Sequence, residues 1–191
     1  MALRLFQKLY YMAHYENLGS ILERGILSHA LVAQAGLVHV DISQPGAQQW
    51  RARPEPVFGY AIHAYVPLYF NPRNPMLYVR RHQQHELVLL CVSANAVKTA
   101  GQALFTDGNA ACRDTRFSTG FDVVKLSEPV LEAAYWSNFP DGRRQRCAEA
   151  LVLDRVAPHF IDGVVCNNLR LARHLKQQHG LAVGVDGSLF F

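Results

Sequence analysis

The feature that most constrains this chain is the run Glu86-Leu87-Val88-Leu89-Leu90-Cys91-Val92, a block of Leu and Val interrupted only by a cysteine. A strand with one wet face alternates polar and apolar residues, so a continuous apolar run predicts a strand buried on both faces in the middle of a sheet. Other segments supply its neighbours. Residues 5–13, 64–70, 148–153 and 163–166 read as strands, and 181–185 as a closing strand. Between them, Leu18–Arg24 has apolar Leu18, Ile21 and Leu22 at helical spacing, with Asn17 placed as N-cap and Gly25 as the stop. Residues 46–53 form a second short helix before Pro54 and Pro56, and Leu169–His179 a third, stopped by Gly180. Residues 71–75 are turn-rich.

These elements lack a regular βαβ repeat. Residues 101–108 have the wrong glycine spacing for a dinucleotide or nucleoside-triphosphate loop, which argues against a doubly wound sheet. The pattern predicts a single α+β domain over 1–191 with a mainly antiparallel, split sheet and flanking helices. With 191 residues, half of them hydrophobic and 18% charged, the chain can bury one sizeable core. Net charge is +4 and pI near 9.0, which suits a polyanionic partner without requiring one.

Four cysteines lie far apart, and His82 and His85 have no second ligand pair at metal spacing, so no metal is expected and the thiols read as reduced. Met1-Ala2-Leu3-Arg4 opens without a leader pattern, and no apolar run is long enough to span a bilayer. The cytoplasm is the expected compartment, with no membrane partner.

Glu149 stands at the start of an apolar strand, directly after the basic segment Asp141-Gly142-Arg143-Arg144-Gln145-Arg146. From spacing alone it reads as a surface partner of one of those arginines as readily as a catalytic group. Tyr135 and Trp136 precede the same arginines, and flat rings beside guanidinium groups suit single-stranded nucleic acid. A core tryptophan with a solvated loop fits that pattern too. Residues 105–117, with Asp107, Asn109 and Arg113, form a polar loop expected to border the same cleft.

Longer motifs narrow the choice. Asn17-Leu18, Ile21-Leu22 and Gly25-Ile26-Leu27-Ser28 are followed by Tyr65-Val66-Pro67-Leu68-Tyr69-Phe70-Asn71-Pro72-Arg73-Asn74-Pro75-Met76-Leu77-Tyr78, then Thr106-Asp107-Gly108-Asn109-Ala110-Ala111 and Ala148-Glu149-Ala150-Leu151-Val152. In this order the segments resemble the DarT family of DNA ADP-ribosyltransferase toxins, over most of the chain. The resemblance implies the ADP-ribosyltransferase fold, with two small sheets around a cleft for NAD⁺, the ADP-ribose donor. It implies Glu149 as the catalytic glutamate and Arg51 as a partner that helps hold NAD⁺, with Arg53 next if the helix register differs. Tyr11, His14, Asn17 and Leu18 fall on the cofactor-binding positions, and Tyr135, Trp136, Arg143, Arg144, Arg146, Arg73 and Asn109 on the nucleic-acid side.

The substrate implied is thymine or guanine in single-stranded DNA, with RNA as the alternative polymer, and the partner implied is an antitoxin that removes ADP-ribose. The chain departs from the family where His-x-Thr-His becomes Tyr11-Met12-Ala13-His14. Tyr11 offers a hydroxyl in place of imidazole, and Ala13 offers no side-chain hydrogen bond. A catalytically impaired binding module is therefore the competing reading. A protein-modifying transferase is a third, and its usual second acid two positions before the glutamate is here Cys147.

Overall fold

The computed structural model describes residues 8–191; residues 1–7, with the opening segment and the first three positions of the earliest expected strand, lie outside it. β1 (Lys8–His14) is followed by α1 (Leu18–Arg24), β2 (Ile26–Leu27), α2 (His29–Gln34) and α3 (Pro45–Arg51). Next come β3 (Tyr65–Tyr69), α4 (Pro75–Val79), β4 (Leu87–Ser93), α5 (Asn95–Lys98), β5 (Ala103–Thr106) and β6 (Phe117–Ser118). α6 (Glu128–Glu132), α7 (Gly142–Gln145), β7 (Glu149–Leu153) and β8 (Arg155–Val156) precede β9 (Ile161–Cys166), α8 (Leu169–His179) and β10 (Val183–Val185).

The apolar run is β4, and it lies inside the sheet β10-β9-β4-β1-β3-β7-β5-β6. Val88, Leu90 and Val92 join a core with Leu18 and Ile21 of α1 and Leu171 and Leu175 of α8. Leu87 and Leu89 point the other way, into a smaller core with Met12, Leu77 and Phe190. Both faces are therefore dry, and each such side chain contributes about 1.5–3 kcal/mol over an exposed one. β1 pairs with β4 along seven residues, from Lys8↔Ser93 to His14↔Leu87. All pairs in the large sheet are antiparallel except β10 with β9.

The sheet is split as expected, though its halves are not separate. β1 and β3 are joined by one pair, Tyr10↔Tyr69. β3 pairs along all five residues with β7 on its other side, ending at Tyr69↔Glu149. Pro67, which has no N–H to give a ladder, is tolerated in β3 because the β1 side is unpaired there. The seam opens into the cleft.

Two local expectations change. Asn17 does not cap α1: it sits in helical conformation, and its side chain instead donates to Val40 O and accepts from Val40 N, both at 2.9 Å. The turn-rich 71–75 segment ends by starting a helix, with Asn74 accepting from the N–H groups of Met76 and Leu77 and Pro75 at the first helical position. Gly25 is obligatory, with φ of 86° and Val156 O 2.2 Å from where a Cβ would stand.

Beside the cleft, the 55–60 turn is built on one buried carboxylate. Glu55 is 2% exposed and accepts from the backbone N–H groups of Val57, Phe58 and Tyr60 and from the Tyr65 hydroxyl. Burial works against its charge, but the bonds from Phe58 and Val57 outweigh it and hold the carboxyl below its ordinary value. Its stabilising contribution is therefore complete above the ordinary glutamate value of 4.5 and is lost as pH falls through the lower folded value. Glu55→Ala, which strands three backbone donors, is expected to cost about 2 kcal/mol or more at neutral pH. Urea unfolding at pH 7 and pH 3 should show the gap between variant and parent closing at the lower pH.

Candidate active site

Arg51 ends α3 and Glu149 begins β7, and the two meet at the seam. Nη1 of Arg51 donates to both carboxylate oxygens, at 3.2 and 3.1 Å, and Nη2 to Oε2 at 3.1 Å. Glu149 is 1% exposed. Burial opposes the Arg51 charge, yet Glu149, followed by Tyr69, holds the guanidinium above its ordinary value. Burial and then Glu149 push the Tyr69 hydroxyl well up, so it remains a protonated donor at neutral pH. The resemblance implied an arginine gripping NAD⁺, but here the fork is engaged by the carboxylate. Arg53 is directed elsewhere, donating to Trp50 O and Ala111 O.

The pair lies in the wall of a cavity of about 580 Å³, within the ~300–1,000 Å³ usual for small-molecule sites. Tyr11 and Ala13 of β1, Gln48 of α3, Tyr69 of β3 and Cys147 share that wall, as does the 39–44 loop pinned by Asn17. Burial, then Asp41, raises the Tyr11 hydroxyl, which is therefore available as a hydrogen-bond donor. Burial and Glu149 push the Cys147 thiol up to about 12, so it is no nucleophile. Gln48 and His63 also line the cavity, and Gln48 Oε1 and His63 Nε2 are buried without a hydrogen-bond partner. Among the described residues, no three His, Cys, Asp or Glu side chains are grouped to hold a metal.

A second network ties the loop after β5 to Glu149. The Thr106 hydroxyl accepts from Glu149 N at 3.0 Å and lies 2.7 Å from Gly108 O, to which it can donate. Arg144 bridges Asp107 and Asp141, each at 2.6 Å, and its backbone O accepts from Asn109 N. Gly108 has no room for a Cβ, which would stand 2.5 Å from Arg144 Nη1 and 3.0 Å from Arg144 O.

The other candidates divide. Asn17 borders the cavity, but Leu18 is fully buried core, and His14 is outside the wall, its Nδ1 accepting from Glu16 N and its Nε2 3.8 Å from Glu86. Arg143 is exposed at the rim and Asn109 lines the cavity. Arg146 is 3% exposed and donates to the carbonyls of Arg73, Val130 and Ala133, which makes it an internal strut rather than a phosphate contact. Trp136 packs edge-on against Tyr78 and Phe191, with Arg73 over the Phe191 ring, while Tyr135 is 66% exposed.

Sequence reading did not single out Tyr69, Thr106, Gln48 or His63. Gln48 carried a usable signal, since it stands three residues before Arg51 and so shares its helix face.

A family model described as ssDNA thymidine ADP-ribosyltransferase, DarT, matches residues 10–184. A DNA ADP-ribosyl transferase-DNA ADP-ribosyl glycohydrolase fusion protein of Thermosipho africanus is 29% identical over 97% of this chain, which spans 50% of that relative's length. The structure of Thermus sp. 2.9 DarT in complex with ADP-ribosylated ssDNA superposes with a TM-score of 0.83 at 26% identity, covering 97% of this chain and 96% of the other. That of the same Thermus protein with NAD⁺ gives 0.79 at 25% identity, covering 97% and 98%.

Arg51→Ala should lower unfolding free energy by about 3–5 kcal/mol, because it strands a buried carboxylate. Adding Glu149→Gln removes the stranded charge and should recover part of that loss in urea titrations.

Proposed function

Since the chain belongs to the DarT family, we propose that it is an NAD⁺-dependent transferase that attaches ADP-ribose to thymine in single-stranded DNA. The observation that carries this reading is the buried Glu149 carboxylate, held by Arg51 in a cavity of small-molecule size. The family description favours thymine over guanine and DNA over RNA.

The residues can perform the chemistry as follows. Cleavage of the nicotinamide–ribose bond sends the electron pair to the departing nicotinamide and leaves oxocarbenium character on the sugar. Glu149, held and oriented by Arg51, stabilises that charge and accepts a hydrogen bond from the ribose 2′-hydroxyl. Thymine in a DNA strand has one ring N–H, at N3. That nitrogen forms the new bond to the sugar carbon, and its proton passes to the carboxylate, a contribution of roughly 10²–10⁴-fold. Arg51 holds the carboxylate in its orientation before the step.

NAD⁺ fits the donors present. The Tyr11 hydroxyl stands in for the family's first histidine, and the polar residues Gln48 and His63 line the same cavity. We also read the chain as one transferase domain. Restraint by a partner that removes ADP-ribose is supported by the Thermosipho relative, whose name couples transferase and glycohydrolase. Among the described residues no helix is long and apolar enough to cross a membrane, and a cytoplasmic site of action fits the two substrates.

Incubation with NAD⁺ and short DNA or RNA oligonucleotides, read by mass spectrometry, tests the reading. We expect one ADP-ribose adduct, confined to thymine-containing single-stranded DNA. Glu149→Gln should reduce its rate by roughly 10²–10³-fold or more while circular dichroism stays unchanged. Absence of adduct on either polymer, with salt-sensitive oligonucleotide binding retained, would instead establish a binding module.

A further inference from the structure

We propose that Trp50, with Arg53 and Arg113, forms a ledge on which a base of the DNA strand next to the modified thymidine stacks. This rests on the transferase reading above and assigns part of the strand's path. Trp50 is 43% exposed, on the solvent side of α3, immediately before Arg51. The guanidinium carbons of Arg53 and Arg113 lie 4.8 and 5.2 Å from its ring centroid.

The two arginines differ in a way that suits a strand. Arg53 is fixed by its bonds to Trp50 O and Ala111 O, both 3.0 Å. Arg113 is exposed and has no hydrogen-bond or ion-pair partner among the described residues. It can leave the ring for a phosphate as a base takes its place. Ala111 and Cys112, just before it, line the cavity, so the ledge stands at the cavity rim. Asp107 and Asp141 are both engaged by Arg144 and do not neutralise the ledge.

An exposed indole face with permanent cations around it matches an unpaired base and its flanking phosphates. A duplex, whose base faces are covered by stacking, offers no such surface.

The chain has two tryptophans, so Trp136→Phe leaves Trp50 as the sole indole reporter. Titration of that protein with a short oligothymidylate should quench its fluorescence. Anisotropy with a labelled oligothymidylate should show Trp50→Ala binding weaker by roughly ten-fold or more. Arg113→Ala, a change at an exposed side chain that leaves folding intact, should flatten the slope of log affinity against log salt by about 0.7. Quenching by NAD⁺ alone and not by the oligonucleotide would give the ledge to the dinucleotide and overturn the proposal. Unchanged DNA affinity in both variants, while the parent still modifies DNA, would overturn the ledge and leave the transferase reading standing. A parent protein that neither binds nor modifies DNA would overturn both.

Discussion

A carboxylate as buried as that of Glu149 carries a heavy desolvation cost unless an opposite charge meets it, and Arg51 is the group that does. Much of the surrounding architecture follows from bringing these two together across 98 residues of sequence. α3 must dock against the start of β7, and it can because the sheet opens where β1 and β3 share only the Tyr10↔Tyr69 pair. The loop after β5 is fixed to the same strand by the Thr106 hydroxyl and to the turn before β7 by Arg144. The carboxylate is thus oriented through both its side chain and its backbone. Desolvation strengthens every interaction it makes.

The elements that sequence reveals well are those governed by short-range rules. Residues 86–92 announced a central strand because apolarity on consecutive positions has only one meaning in a strand, and Leu169–His179 was legible from its stop at Gly180, which adopts left-handed φ. Asn17 obeyed the capping pattern and still did something else, because a backbone amide from residue 40 competed for its side chain. No local rule can register a partner 23 residues away.

The basic run before Glu149 shows the same limit on the site itself. Arg143 faces solvent, Arg144 bridges two aspartates and Arg146 supports three carbonyls in the interior. Three arginines within four residues thus meet three environments, since direction around α7 and its exit, not residue type, decides what each touches. Glu149 and Arg51 were nameable through long motifs shared with a family; their mutual pairing was not, because it depends on how a helix from the first third of the chain packs on a strand from the last.

That separation in sequence shapes how the protein comes into being. Translation delivers Arg51 first, and the carboxylate arrives only with β7, after β1, β3 and β4 have been made. A nascent polypeptide still on the ribosome, or one cut short before that strand, carries the cation of the centre without its anion. Such a fragment lacks the carboxylate on which the proposed transfer depends.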